Sequence, residues 1–138
     1  MPKFSVIIPL YNKEKDILAT LNSLLLQTFT DFEVVIINDG STDNGGAIVT
    51  AVADNRITYF SKENEGVSKT RNVGVAKASG THIAFLDADD LWKENKLEVQ
   101  TNILAKGTTD VCFGSYELIN SKSQPLHKKV QALTKLSY

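Results

Sequence analysis

Four times along this chain, a short apolar run rich in β-branched residues is followed by a stretch with helical spacing. Phe4–Pro9 is the first run, closed by a proline that suits a strand end. Residues Glu14 to Gln27 then read as a helix, with Ile17, Leu18, Leu21, Leu24 and Leu25 on one face. Phe32–Ile37 is the second run, and Ala47, Ile48, Ala51 and Val52 mark a short helix behind it. Ile57–Phe60 is the third. The helix after it, Val67–Ala78, puts Val67, Thr70, Arg71, Gly74 and Ala78 on one face, so small residues can bring it close to a sheet. His82–Leu86 is the fourth run, followed by a helix over Lys93–Lys106 that Gly107 stops. Such alternation predicts a parallel sheet with helices on both faces. Residues Asp110 to Leu118 read as a fifth strand. From Asn120 the chain is a polar tail that becomes weakly amphipathic at Val130, Leu133 and Leu136.

In sheets of this kind, ligands bind beyond the carboxyl ends of the strands. The distinctive polar residues fall at those ends: Tyr11, Asp39, Asn64, then Asp87 and Asp89. The last two belong to Asp87-Ala88-Asp89-Asp90, three carboxylates in four residues. Two such charges ~5 Å apart repel by roughly 3 kcal/mol at an effective dielectric near 20. A divalent cation would offset that, and hard oxygen ligands suit Mg²⁺ or Mn²⁺. The plainer alternative is a solvated turn in which Asp89 or Asp90 caps the following helix. Asp43 likewise reads as a cap of the second helix, and Glu14 as a charge that helps start the first.

Composition narrows the field. At 138 residues the chain has the size of one domain, able to bury about two thirds of its unfolded surface. Fifteen basic residues against sixteen acidic leave no electrostatic footprint for nucleic acid. The single cysteine, Cys112, excludes an internal disulfide. No apolar run approaches the ~18 residues of a membrane span, and no signal-peptide core precedes the first strand. A cytoplasmic location is therefore expected, with peripheral contact to a membrane left open.

Several nucleotide-binding designs are excluded. The first strand is followed by Pro9-Leu10-Tyr11-Asn12, not by the glycines of a dinucleotide fold, and no P-loop occurs. A signalling receiver domain would need an acidic pair after the first strand, which is also missing. A phosphate site built on a metal remains.

Four stretches, in order, resemble one family. Phe4-Ser5-Val6-Ile7-Ile8-Pro9-Leu10-Tyr11-Asn12, the run from Phe32 through Asn38-Asp39-Gly40-Ser41-Thr42-Asp43, Asn64-Glu65-Gly66 with Arg71-Asn72, and Phe85-Leu86-Asp87-Ala88-Asp89-Asp90 are similar to the motifs of the inverting family 2 glycosyltransferases. The resemblance runs from about Phe4 to Leu104. It implies a GT-A fold, a Rossmann-like three-layer α/β/α arrangement with a mostly parallel sheet. It also implies transfer of a sugar from a nucleoside-diphosphate donor, UDP- or dTDP-linked, to a carbohydrate or lipid-linked acceptor. Pro9 and Tyr11 would border the base, Asp39 would accept its ring N–H, and Arg71 would lie near the base or diphosphate. Asp87 would bind the ribose, and Asp89 would coordinate Mn²⁺ or Mg²⁺.

Beyond Leu104 only Asp110 and Glu117 offer a carboxylate, and neither sits in a matching motif. The expectation is therefore a truncated transferase. Residues 1–118 would form the nucleotide-sugar-binding domain, and residues 119–138 would lead toward an acceptor half, with the catalytic base beyond Tyr138. Apolar surface at that border could drive formation of a homodimer. A non-catalytic nucleotide-sugar-binding module is the alternative.

Overall fold

A computed structural model describes residues 1–108, 110–120 and 122–131. The elements are β1 (Phe4–Leu10), α1 (Ile17–Leu25), β2 (Phe32–Asp39), α2 (Gly45–Ala51), β3 (Ile57–Lys62), α3 (Val67–Lys77), β4 (His82–Phe85), α4 (Lys96–Leu104), β5 (Tyr116–Ile119) and β6 (Pro125–Val130). They divide into two compact units, Met1–Glu98 and the residues from Val99 on.

The first unit carries a four-stranded sheet in the order β3-β2-β1-β4, every neighbouring pair parallel. β1 and β2 lie at its centre, and Val6, Ile7, Ile8, Leu10, Val34, Ile36 and Ile37 have no exposed surface. Strands covered on both faces read as unbroken apolar runs, which is how these two read. Alternation along β1 separates the faces. On one, a Cβ added at Gly74 of α3 would lie 2.3 Å from Ile7 Cγ2, so the small residue permits a close helix–sheet approach. On the other, Leu10 Cδ1 would lie 3.5 Å from a Cβ at Gly45, the first residue of α2. The expected three layers are present.

Pro9 does not end β1. It lies inside the strand, opposite Ile37 of β2. A proline in a central strand normally costs a ladder hydrogen bond. Here the Ile7 carbonyl accepts from the Leu86 amide, so Ile7, and Pro9 two residues on, face the β4 side. β4 has already ended at Phe85, so no ladder partner is lost at Pro9. The early end of β4 leaves that side of β1 open.

Several boundaries differ from those expected. α1 begins at Ile17, and Leu18 is exposed. The Glu14 carboxylate does not serve the start of α1. It accepts from the backbone and side-chain nitrogens of Asn44, while Asp43 accepts from the Glu14 amide and from Gly45 N. The two acids cross-link the β1–α1 and β2–α2 loops. α4 begins only at Lys96, six residues beyond Asp90, too far for Asp90 to cap it.

The second unit holds an antiparallel pair, β5 with β6. The expected fifth strand over 110–118 is thus confined to Tyr116–Ile119 and does not join the parallel sheet. A partner a few residues away along the chain closes at lower entropic cost than a distant sheet edge. Asn120 Oδ1 accepts from the Lys122 and Gln124 amides and shapes the turn, so the stretch expected to be a polar tail contains a strand. Leu133 and Leu136 lie outside the described residues.

Candidate functional site

The carboxyl ends of β1 to β4 surround a cleft of about 540 Å³, entirely within the first unit. Pro9, Tyr11, Asp39, Arg71, Asp87 and Asp89 all line it, as does Asn64. Every binding residue expected from sequence is brought to one place.

Asp39 ends β2 and is 4 % exposed. Its Oδ1 accepts from Glu65 N at 2.9 Å and from the Lys62 ammonium, and its Oδ2 accepts from Gly66 N at 2.9 Å. Burial alone would push this carboxyl up. The hydrogen bonds from Lys62, the two amides and Thr70 outweigh it and hold Asp39 below the usual carboxylate range. Gly66 needs its left-handed φ of 90° to present that amide, and Gly40, at φ 71°, leaves only 2.9 Å between a would-be Cβ and Asn64 N. Tyr11, by contrast, is 48 % exposed at the cleft wall.

Arg71, on α3, donates to Asp87 Oδ1 at 2.6 Å. Its Nε is buried and has no hydrogen-bond partner among the described residues. Lys13, in the β1–α1 loop, lies 2.6 Å from Asp89 Oδ2, and this contact raises the Lys13 pKa above the ordinary lysine value. Two basic residues therefore divide the acidic pair between them. The Asp90 amide donates to the Asp87 carbonyl at 3.0 Å, but its carboxylate has no hydrogen-bond or ion-pair partner among the described residues. Partial burial of its carboxyl, and then the charges of Asp89 and Asp87, hold it above the usual range.

The acidic loop is fixed from α1. Thr20 Oγ1 donates to the Ala88 carbonyl at 3.0 Å, and Ser23 Oγ accepts from Trp92 N at 3.1 Å. Gln27 donates to the Lys93 carbonyl and accepts from Leu97 N. Thr20 and Ser23 share one stripe of α1, and Gln27, two residues past its end, continues the same three-and-four spacing. This polar stripe, like the cleft residue Lys13 and the Asp39 partner Lys62, was not anticipated from the sequence. Its signal was present: three hydrogen-bonding residues at helical spacing beside the apolar face.

Among the described residues, no three His, Cys, Asp or Glu side chains form a ready metal cage. The donor chemistry nonetheless fits Mg²⁺ or Mn²⁺ bound through one or two carboxylates, with phosphate oxygens and water completing the shell. Asp89 would supply such an oxygen, with Asp87 two residues away, and each is ion-paired to a cationic side chain.

Residues 5–136 match the model of glycosyl transferase family 2. The chain is 40 % identical over 120 residues to the UDP-Glc:alpha-D-GlcNAc-diphosphoundecaprenol beta-1,3-glucosyltransferase WfgD of Escherichia coli, covering 86 % of this chain and 47 % of that protein. It is 42 % identical over 125 residues to an uncharacterized glycosyltransferase of Rickettsia bellii, covering 90 % and 18 %. Among solved structures, S. aureus TarS 1-349 in complex with UDP-GlcNAc superposes with a TM-score of 0.71 at 30 % identity, over 85 % of this chain and 40 % of that one. The mannosyltransferase PcManGT of Pyrobaculum calidifontis, in complex with GDP-Man and Mn²⁺, gives 0.71 at 26 % identity, over 86 % and 35 %. The chain spans less than half the length of each of these proteins.

Proposed function

Because the chain belongs to glycosyl transferase family 2, we propose that its cleft binds the nucleotide end of a UDP-linked sugar donor for metal-dependent, inverting transfer to a carbohydrate or lipid-linked acceptor. The observation that carries this reading is the convergence of Asp39, Arg71, Asp87 and Asp89 on one cleft at the strand ends. Asp39 is ionised and immobile, with lone-pair capacity left on Oδ2, and so suits a ring N–H such as uracil presents. Pro9 and Tyr11 would border the base, and Asp87 the ribose. Arg71, with an unused buried N–H, would turn toward the diphosphate. Asp89 would hold the metal, which when bound neutralises the diphosphate and stabilises it as a leaving group. The TarS complex with UDP-GlcNAc and the PcManGT complex with GDP-Man and Mn²⁺ support the donor class and the use of a divalent ion.

Residues 1–118 would form the donor-binding portion, and the acceptor half with its base would belong to further sequence, as the length of the relatives allows. No helix among the described residues is long and apolar enough to cross a membrane. A cytoplasmic protein that meets a lipid-linked acceptor at the membrane surface is the corresponding location.

Calorimetric titration of UDP in Mn²⁺ and in EDTA tests the reading. Wild type should bind in Mn²⁺ and weaken at least about tenfold in EDTA, because Lys13 and Arg71 offset Asp89 and Asp87 only one for one and leave the diphosphate's own charge unneutralised. Asp89→Asn should bind UDP equally weakly in both media and fold normally, since its ion pair is exposed and worth at most about 1 kcal/mol. Equal wild-type affinity with and without metal would overturn the assignment.

A further inference from the structure

Resting on that reading, we propose that Lys13 is a counter-ion switch: it occupies Asp89 in the empty cleft and passes to the diphosphate when a metal–nucleotide complex enters, so that metal and nucleotide load together. The geometry points to it in three ways.

First, the pair spans two pinned backbones. Asn12 sits in the left-handed region at φ 51°, its amide donating to Ser41 Oγ and its Oδ1 accepting from Thr42 N. The Lys13 carbonyl accepts from Asp16 N and Ile17 N. On the opposite side, Thr20 holds the carbonyl of Ala88, the residue before Asp89. Only the two side chains are free to rearrange.

Second, the pair is easily broken. Lys13 and Asp89 side chains are 38 % and 44 % exposed, and exposed ion pairs contribute little net stability. An ammonium on a four-carbon stem is a mobile point charge, unlike the planar fork of Arg71.

Third, the charges favour exchange over simple addition. A divalent ion arriving alone must displace an ammonium from its carboxylate and leave it near the metal with no anion to receive it. The same ion arriving with a diphosphate brings that anion. Lys13 lines the cleft beside Asp89, so its stem can carry the ammonium from one partner to the other.

The test measures Mn²⁺ binding alone by electron paramagnetic resonance, and UDP binding in saturating Mn²⁺ by calorimetry. It uses the full chain as wild type, Lys13→Gln and Lys13→Arg, each checked for folding by circular dichroism. Lys13→Gln should bind Mn²⁺ alone about fivefold more tightly and UDP in Mn²⁺ about fivefold more weakly, each about one exposed ion pair in size. Lys13→Arg, which keeps the charge but on a planar fork that grips Asp89, should hold Mn²⁺ affinity at or below wild type and restore UDP binding only in part. Opposite signs for metal and nucleotide distinguish a switch from a residue that merely shapes the loop, whose loss would weaken both. A folded Lys13→Gln with unchanged Mn²⁺ affinity, while wild type binds Mn²⁺–UDP normally, would overturn the switch and leave the donor site standing. Failure of wild type to bind UDP in Mn²⁺ would overturn both.

Discussion

At the scale of single residues, Asp39 and Asp90 show how the surroundings decide what one side chain can do. Asp39 is buried with donors on both oxygens, and its pKa falls; the Asp90 carboxylate has no partner among the described residues, and its pKa rises. The consequences have opposite signs. The folded-state pKa of Asp39 lies below the unfolded value, so its contribution is present above the unfolded pKa and lost as pH falls through the folded one. Asp39→Asn should cost about 2–3 kcal/mol in urea denaturation, because either amide orientation turns an NH₂ toward a backbone N–H. For Asp90 the folded pKa lies above the unfolded value, so the ionised group costs stability above the folded pKa, and the cost vanishes as pH falls below the unfolded one. Asp90→Asn should therefore be neutral to slightly stabilising at pH 7, by up to roughly 0.5 kcal/mol, with the difference shrinking toward pH 4. A loss of stability at pH 7 would contradict this. Asp39, Asp87 and Asp89 were legible in sequence because strand ends collect ligand-facing residues. The misreading of Asp90 as a cap arose because carboxylates before a helical pattern look like caps, while the distance to the true helix start is not encoded in the pattern.

At the scale of elements, two helices place the cleft by different means. α3 approaches β1 through Gly74, where Ile7 is fully buried and β-branched, so it has little room to yield. Gly74→Ala should destabilise by about 1–3 kcal/mol as an overpacked contact, and thermal denaturation measures it. The close approach was legible, since a run of small residues on one helical face has few other uses. α1 and the turn that follows it hold the acidic loop by polar contacts, and Gln27 in that turn, 4 % exposed, satisfies two backbone groups at once. Gln27→Leu keeps the volume but removes the hydrogen bonds to the Lys93 carbonyl and from the Leu97 amide, at a cost of about 2–3 kcal/mol. An unchanged denaturation midpoint would show that water or a shifted loop replaces both bonds. This stripe escaped the sequence reading because the leucines beside it supply a stronger periodic signal and polar positions on a helix are usually solvated.

At the scale of the whole molecule, the sheet was legible and the hairpin was not. β1 and β2 advertise themselves as unbroken apolar runs, whereas β6 is exposed along nearly its whole length and has no alternating face to read. The cleft, complete within the first unit, offers three carboxylates, and each already has an assignment. Asp39 is ion-paired to Lys62, Asp87 to Arg71, and Asp89 to Lys13. Inversion at a sugar carbon needs a carboxylate free to take the acceptor hydroxyl proton, within hydrogen-bond reach of it. A carboxylate already ion-paired, or coordinating the metal, is a weak base. Asp90, whose carboxylate is unpartnered among the described residues, is absent from the cleft lining. The chain should therefore bind a UDP-sugar, displaceable by UDP, while transferring no sugar above the uncatalysed background when acceptors are supplied. Product analysis with a radiolabelled donor reads both properties in one sample. Transfer well above background by this chain, abolished in Asp90→Asn with donor binding intact, would place the base at Asp90 and show that the donor-binding residues already form a complete catalyst.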